Sequence, residues 1–328
     1  EEEATMEGRR KGGRRIRQRG QREQRRRLLR RRRRRRRRLS ARPYDGGLLG
    51  PARDLGERLL PAFDTVTGIP VGSVNLRHGV APDETPAASL AGAGSLSLEF
   101  TMLSHLTGDE RFSCAARGAL LALFARRNPE TGLLGKHVNS ATGEWLEENS
   151  GGGSTADSFY EYLAKQGFLF DDAGSWQMFG AAATAAEARA SMGDFYGDVD
   201  LRNGSPTRPI ADSLQGFWPG LLASLGDLPT ASRKLNAFLS VARFFGAPGL
   251  PEEFDFLRWA LPVPESGGRR HPLRPEVVES IMHLRQATLS SAASYSSSSP
   301  STPSSSLPAS ASSSSSPAPR SVGMMTGG

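Results

Sequence analysis

Residues 156–163 read Ala-Asp-Ser-Phe-Tyr-Glu-Tyr-Leu, and a glycine-rich stretch at 151–153 precedes them. Ser154 stands three residues before Asp157, which is the spacing of a capping box with Asp in place of Glu. This predicts a helix that continues through Leu163. Asp157 and Glu161 are four residues apart and share one face of it.

Residues 152–156 nearly match the nucleophile elbow G-x-S-x-G, but they lack the last glycine and a preceding strand, so a helix cap is favoured.

The chain on both sides of this stretch shows the apolar spacing of helices broken by glycine. A single α-rich domain of about 245 residues is therefore predicted from Tyr44 to Thr288. Pro51 is compatible with the first helix only in its first turn, and Asp109 is the expected N-cap of the third. Residues 133–146 contain a polar turn cluster typical of a short hairpin. The predicted helices cover residues 48–59, 96–106, 112–124, 157–163, 175–192, 210–226, 229–245 and 275–287.

The two ends of the chain differ strongly in composition from this domain. Residues 1–43 contain 21 Lys or Arg against 5 Asp or Glu, a net +16, so the rest of the chain is net −8. Residues 289–328 contain 18 serines and no acidic residue. Such segments bury too little apolar surface to fold, so both are predicted to be disordered. The nine arginines at Arg30–Arg38 could bind a polyanion such as a nucleic acid nonspecifically, although a solvated tail is favoured.

Several kinds of chemistry have little support in the sequence. Cys114 is the single cysteine, which excludes an intrachain disulfide and a thiolate metal cluster within this chain. The five histidines lack close metal-ligand spacing, and no apolar run reaches the length of a membrane span. Paired carboxylates remain, at 157/161, 252/253 and 276/279. Acidic residues near helix starts also stabilise the helix dipole, and that purely structural interpretation is favoured on spacing alone.

Seven short stretches, in order, resemble glycoside hydrolase family 47, the class I α-mannosidases. They are Leu60-Pro-Ala-Phe63, Thr67-Gly-Ile-Pro70, Val74-Asn-Leu-Arg-His-Gly79, Glu99-Phe, Leu106-Thr-Gly-Asp109, Ala156 to Leu163 and Pro272-Leu-Arg-Pro-Glu276. The third stretch and Phe217-Trp-Pro-Gly-Leu221 resemble the ER degradation-enhancing (EDEM) branch. The resemblance covers the central part of the family domain. It implies an all-α chain forming an incomplete (α/α)7 toroid, or barrel, with a short β-hairpin.

The resemblance also implies an activity and a set of site residues. The family removes α-1,2-linked mannose from N-glycans with inversion, using acidic residues and calcium. Asp157, Glu252 and Glu276 would be catalytic, with Glu276 a general base, and Arg274 and Glu279 would contact the sugar. An inverting glycosidase needs two carboxyl groups about 6.5–9.5 Å apart, with a water on the base side. The three carboxylates are therefore expected to converge on one cavity, whereas simple helix caps would lie apart.

The resemblance also implies that two functional residues of the family are missing from this chain. The family's proton-donor Glu would precede Tyr44, where the arginine tract stands, and the calcium-binding Thr would follow Thr288, so this chain is expected to lack both.

High-mannose N-glycans on misfolded glycoproteins are the implied partners and the endoplasmic reticulum the implied location, although no signal peptide is visible. Phe159, Phe217, Trp218 and Trp259 could face a sugar, but packed core aromatics are favoured. A non-catalytic glycan-binding protein, or an inactive fragment, is the alternative.

Overall fold

A computed structural model describes residues 46–246, 249–262 and 273–297. Residues 1–45, which include the arginine-rich arm, residues 247–248 and 263–272, and the tail beyond residue 297 lie outside the described residues. Within the described part, no helix is long and apolar enough to cross a membrane.

The described chain is predominantly helical, as predicted. Its helices are α1 (Leu49–Leu59), α2 (Leu90–Gly94), α3 (Ser97–Thr107), α4 (Arg111–Ala125), α5 (Asp157–Phe170), α6 (Ala173–Ala190), α7 (Phe217–Ser224), α8 (Leu228–Phe245) and α9 (Glu276–Ser297), with 3-10 turns at Leu60–Phe63 and Ser213–Gly216. Helix α9 continues ten residues past its predicted end at 287, into the segment predicted to be a disordered tail.

Local sequence explains most of the helix ends. Pro51 is the third residue of α1, where no intrahelical partner for its missing N–H is needed. Gly108 ends α3 with φ +72°, a left-handed conformation that glycine adopts without strain. The N-cap of α4 is Glu110, one residue after the predicted Asp109, and its side chain makes no capping bond. Instead Asp109 Oδ1 accepts a hydrogen bond from the backbone N–H of Arg111 at 3.2 Å.

The predicted capping role of Ser154 is wrong. Helix α5 begins at Asp157, its N-cap is Ala156, and no side chain caps it. The reason is the glycine-rich loop before it, because the carbonyl of Gly153 accepts the backbone N–H groups of Ala156 and Asp157 at 3.0 and 2.9 Å. The backbone of the loop thus satisfies the first turn, and the Ser154 side chain is not needed there.

Short strands are more numerous than the sequence indicated. They are β1 (Ala87–Ser89), β2 (His137–Asn139), β3 (Asn149–Ser150), β4 (Ser191–Met192), β5 (Phe195–Tyr196), β6 (Asp198–Asp200), β7 (Pro206–Arg208), β8 (Ile210–Asp212) and β9 (Glu253–Asp255). Among the described residues they form four small antiparallel sheets, ordered β1-β2, β3-β6-β7, β4-β5 and β8-β9. The chain is therefore not purely α-helical.

The hairpin predicted at residues 133–146 is present. Val138 and Trp145 form an antiparallel bridge, and the N–H of Asn139 donates to the carbonyl of Glu144 at 2.8 Å. The single helix predicted for residues 210–226 is wrong. This segment begins as β8, continues as a 3-10 turn and only then becomes α7, because residues 210–212 pair with β9 and Asp212 caps the turn.

The main core lies between α4, α5, α6 and α7, where Phe159, Tyr160, Leu163 and Trp218 are buried. Helix α9 packs against α7 and α8. Small residues allow this close approach, since a Cβ on Gly220 would lie 2.8 Å from Ser280 Oγ. Ser280 itself is fully buried and joins the two helices by hydrogen bonds. The packing places the first turn of α9 beside the turn that precedes α7.

Candidate active site

Charged side chains from four separate parts of the chain lie within electrostatic range of one another. They are Asp157 at the start of α5, Asp212 at the end of β8, Glu252 before β9, and Arg274, Glu276 and Glu279 around the start of α9. We call this set the acidic cluster. Its members are separated by as many as 122 positions between Asp157 and Glu279.

Asp157 occupies the first turn of α5 and is partly buried. Its Oδ1 accepts a hydrogen bond from the backbone N–H of Ser158 at 2.8 Å. Burial raises the pKa of the Asp157 carboxyl, and the charge of Glu161 acts in the same direction, while Arg274 opposes them. This carboxyl therefore retains a proton more readily than one in water.

Glu276 is the first residue of α9 and directly follows Pro275. Burial raises its pKa, the charges of Asp157 and Glu279 add to that effect, and Arg274 lowers it. The 3-10 turn before α7 connects the two helix starts: a Cβ on Gly216 would lie 3.4 Å from Glu276 Cβ, and the loop that leads into α5 packs on Asp212 and Gln215 of the same turn. The Oε2 atom of Glu276 is buried and has no hydrogen-bond partner among the residues that the structure describes. An acceptor in this state is available to a water or a ligand hydroxyl.

Glu252 and Arg274 form an ion pair. Arg274 Nη2 donates to Glu252 Oε1 at 2.5 Å, and Nε lies 3.1 and 3.2 Å from the two carboxylate oxygens. The hydroxyl of Ser213 also donates to Glu252 Oε2, at 3.0 Å. The hydrogen bond to Glu252 is the main cause of the raised pKa of Arg274, to which the charges of Glu276 and Asp212 contribute. Arg274 is thus a fixed positive charge beside the other carboxylates.

Asp212 was not identified from the sequence. Its carboxylate accepts the backbone N–H of Ser154 at 2.8 Å and that of Gln215 at 3.1 Å. Burial raises its pKa to about 6, and the charge of Asp157 acts in the same direction. The spacing Asp212-x-x-Gln215 is a capping signal that could have been found, but the predicted helix over 210–226 concealed it.

The remaining predicted residues lie at the edge of the cluster. Glu279 is 44% exposed, and its Oε1 lies 3.3 Å from Nε2 of His283. Glu161 accepts a hydrogen bond from Lys165 at 2.5 Å. Glu161 raises the pKa of Asp157, and Glu279 raises the pKa of Glu276. Each of the two outer carboxylates has a partner on its own helix.

Three of the four aromatic candidates belong to the core. Phe159, Phe217 and Trp218 are at most 7% exposed, and the Trp218 indole donates to the carbonyl of Gly152 at 2.8 Å. Trp259 is 40% exposed and lines an open cavity of about 570 Å³ together with Leu257 and Phe256. The other residues that line this cavity come from the β4-β5 hairpin and from α8, and no member of the acidic cluster is among them.

A family model described as Glycosyl hydrolase family 47 matches residues 37–293, and the described part of that span contains the whole acidic cluster. The chain belongs to glycosyl hydrolase family 47.

Curated relatives are similar in sequence to this chain, and a solved structure is similar in fold. Alpha-mannosidase I MNS4 of Arabidopsis thaliana is 42% identical over 245 residues, which cover 75% of this chain and 38% of that protein. Human ER degradation-enhancing alpha-mannosidase-like protein 2 is 39% identical over 246 residues, covering 75% and 42%. The chain therefore spans about two fifths of the length of these curated relatives. The α-1,2-mannosidase from Trichoderma reesei has a similar fold, with TM-score 0.60, 23% identity and coverage of 72% of this chain and 56% of that one.

The calcium implied by the family 47 resemblance has no protein ligand set in the part of the chain described. Across residues 46–246, 249–262 and 273–297, no group of three His, Cys, Asp or Glu side chains could hold a metal ion. The orphaned oxygen of Glu276 is a single donor next to Arg274, whose charge opposes a cation. These residues do not fit a calcium site by themselves, so no chemical step is assigned to the metal.

Proposed function

We propose that this chain supplies part of the active site of an α-1,2-mannosidase-like glycoside hydrolase of the EDEM branch. Such an enzyme would trim mannose from the N-glycans of glycoproteins by an inverting mechanism. The observation that supports this most is that Asp157 and Glu276, 119 positions apart in the sequence, begin helices that both adjoin the 3-10 turn Ser213–Gly216, where the charge of Asp157 contributes to the raised pKa of Glu276. Helix-capping carboxylates with no common task would have no reason to be brought together, since like charges repel.

In this proposal Glu276 is the general base. An inverting enzyme activates a water with one carboxylate, the water oxygen bonds to the anomeric carbon, and the bond to the leaving sugar breaks as an acid protonates its oxygen. The unpartnered Oε2 of Glu276 is the acceptor for the proton of that water. A raised pKa brings this carboxylate closer to the operating pH, which makes it a stronger base.

Asp157 and Glu252 complete the proposed set of catalytic carboxylates. The raised pKa of Asp157 suits it to share a proton or a hydrogen bond with a sugar hydroxyl. Glu252 holds Arg274 in place, and Arg274 and Glu279 are proposed to contact the sugar. The proton donor that the resemblance implies would belong to a helix ahead of Tyr44, so no described residue is assigned that role.

The finer features of the family enter as further parts of the proposal. The helices would form an incomplete (α/α)7 toroid, a proposal that the likeness to the Trichoderma reesei fold supports. The EDEM-like relatives support a location in the endoplasmic reticulum and a task in ER-associated degradation, on high-mannose N-glycans of misfolded glycoproteins. Calcium would then be bound by groups other than the described side chains.

Incubating a high-mannose N-glycan with a complete family 47 domain that contains residues 44–288 tests the proposal directly, and the 328-residue chain is assayed beside it for glycan binding. Mass spectrometry should detect the loss of mannose, and proton NMR should detect the β anomer first, as inversion requires. Glu276→Gln should abolish release, whereas Asp172→Asn, which alters a helix cap outside the cluster, should not. If glycans are neither cleaved nor bound, the proposal is wrong for this chain.

A second candidate function is non-catalytic binding of mannose glycans. The absence of a metal-ligand group from the described residues favours it, because the family reaction is calcium-dependent by resemblance. Calorimetry with mannobiose and with calcium separates the two. Sugar binding without calcium binding or turnover would support the binding protein, and tight calcium binding would contradict it.

A further inference from the structure

We propose that Asp212 is a positioning residue for Asp157. Its buried carboxylate fixes the loop of residues 151–155, and this loop sets the position of the first turn of α5, where Asp157 lies. The inference rests on the proposed function only for the importance of Asp157. The contacts that carry it involve no substrate.

A continuous series of hydrogen bonds connects the two residues. Asp212 Oδ2 accepts the N–H of Ser154 at 2.8 Å, and the carbonyl of the preceding residue, Gly153, accepts the N–H of Asp157 at 2.9 Å. Asp212 Oδ1 accepts the N–H of Gln215 at 3.1 Å, which holds the carboxylate on the 3-10 turn. Hydrogen bonds to a buried ionised carboxylate are among the stronger ones in a protein. Movement of Asp212 therefore displaces the loop on which α5 begins.

The glycines of the loop also allow its backbone to pack closely against the Asp212 carboxylate and the Trp218 indole. A Cβ on Gly153 would lie 2.2 Å from Asp212 Oδ2 and 2.8 Å from Gln215 Cγ. On the neighbouring residue, a Cβ of Gly152 would lie 3.1 Å from Trp218 Nε1, the indole that donates to the Gly152 carbonyl. The glycines are thus required for close approach, and the Trp218 indole reports the position of the loop.

Backbone strain lies at the last residue of this loop. Thr155 has φ +72°, a left-handed conformation that is strained for a β-branched residue. Such a conformation persists only where the surroundings enforce it. The Thr155 carbonyl accepts the N–H of Ala91 at 2.7 Å, and Asp212 holds the adjacent Ser154. Release of the second contact is expected to let the strained residue relax and α5 shift.

The charge state of Asp212 makes the hydrogen bonding of the loop depend on pH. Burial raises its pKa to about 6, with the charge of Asp157 adding to the effect, the two N–H groups lowering it and Lys136 also lowering it. Charged side chains face the region from every neighbouring element: Lys136 before β2, Asp157 on α5, Asp198 on β6, Glu252 and Glu253 at β9, and Arg274 and Glu276 at the start of α9. Protonation of Asp212 weakens its acceptance of the Ser154 N–H, so the loop loosens as the pH falls.

Nitrogen-15 NMR of the full chain tests the inference without any substrate. The chain has four tryptophans, so the indole signals are few, and Trp218→Phe assigns the relevant one. In the unmodified chain the Trp218 indole signal should titrate with a midpoint near pH 6. In Asp212→Asn that transition should vanish, and the Ser154 amide should exchange with solvent at least about tenfold faster.

The control is Asp172→Asn, which removes the charge of another N-capping aspartate whose carboxylate accepts from Gly174 and Ser175. It should leave the Trp218 signal and Ser154 exchange unchanged. Gly153→Ala retains Asp212 but displaces the loop, so it should reproduce the Asp212→Asn effects if Asp212→Asn does not fold. A Trp218 signal without a transition between pH 5 and 7, or unchanged Ser154 exchange in folded Asp212→Asn, overturns the inference.

Mannobiose binding then distinguishes this inference from the proposed function. If the unmodified chain binds mannobiose, Asp212→Asn should weaken the affinity about tenfold, as expected for a misplaced binding group, and Asp172→Asn should not. If the unmodified chain binds no mannose glycan, the proposed function fails, while the NMR measurements still decide the role of Asp212.

Discussion

The guanidinium group of Arg274 donates to the carboxylate of Glu252 through both Nε and Nη2. This pair connects Arg274, two residues before α9, with Glu252, the residue just before β9. Because Ser213 also donates to Glu252, the start of α9 is held against the end of β8. This polar contact therefore acts together with the packing of α9 on α7 and α8 to set the position of Glu276 relative to Asp212.

A double-mutant cycle measures the value of this contact. Glu252→Gln and Arg274→Met should each lower the free energy of unfolding, with a coupling energy of about 1 kcal/mol, since both side chains are partly exposed to water. Denaturant unfolding of the two single variants and the double variant gives the coupling. The exposed pair Arg53 and Glu57 on α1 is a control that should couple more weakly. A coupling near zero for Glu252 and Arg274 would contradict their assigned role.

Neutralising the central carboxylates should increase stability while removing function. Burial raises the pKa values of Asp157 and Glu276, so the folded protein binds protons more readily than the unfolded chain. Their contribution to stability is therefore favourable at low pH and is lost as the pH rises through the raised folded values. Asp157→Asn and Glu276→Gln should each increase the unfolding free energy at pH 7.5 by about 0.5–1 kcal/mol.

Asp172 provides the control of opposite sign. Burial alone would raise its pKa, but hydrogen bonds from Ser175 and Arg117 lower it overall. Its contribution to stability is present above the ordinary aspartate pKa and is lost as the pH falls through the lowered folded value. Asp172→Asn keeps a side chain able to cap the helix but loses the charged partner of Arg117, so it should reduce stability at pH 7.5 by about 0.5–1 kcal/mol. Equal signs for all three variants would contradict the electrostatic account.

Two glycine-to-alanine substitutions should have opposite effects. Gly153→Ala places a Cβ 2.2 Å from Asp212 Oδ2 and should destabilise the fold by about 1–3 kcal/mol, as overpacking does. Gly118 lies on the exposed face of α4 with nothing within 4 Å of its Cβ position. Gly118→Ala should stabilise by about 0.5–1 kcal/mol, because alanine loses less entropy in a helix. Thermal unfolding followed by circular dichroism measures both, and a neutral Gly153→Ala would argue against the close approach.

Ser280 should matter more for stability than its size indicates. Its hydroxyl accepts from the N–H of Gly220 at 2.7 Å and donates to the carbonyl of Gly216 at 2.5 Å, and it is fully buried. Ser280→Ala leaves two buried backbone groups without that partner and should cost about 1–3 kcal/mol. The exposed Ser291 on the same helix serves as control, since Ser291→Ala should change the unfolding free energy by less than about 0.5 kcal/mol. Similar small losses for both would show that Ser280 does not join α9 to α7.

Local signals in the sequence were sufficient for much of the fold. The helices around Phe112 and Phe238 follow from apolar spacing, and the turn at Gly108 follows from its glycine. The strands at residues 191–212 could not be predicted, because two- and three-residue pairings depend on partners far along the chain. For the same reason the helix predicted over 210–226 was wrong, since its first three residues pair with β9.

The candidate active site also has features that local sequence determines and features that tertiary packing determines. The sequence by itself determined the family and the candidate carboxylates, because short motifs such as those around Asp157 and Glu276 are local and keep their order in the chain. Only the tertiary structure decided that Arg274 pairs with Glu252, that Trp218 is core, and that Asp212 belongs beside Asp157. Burial, hydrogen bonding and the sign of a pKa shift depend on which groups the packing of α5, α7 and α9 brings together, and linear spacing does not encode those distances.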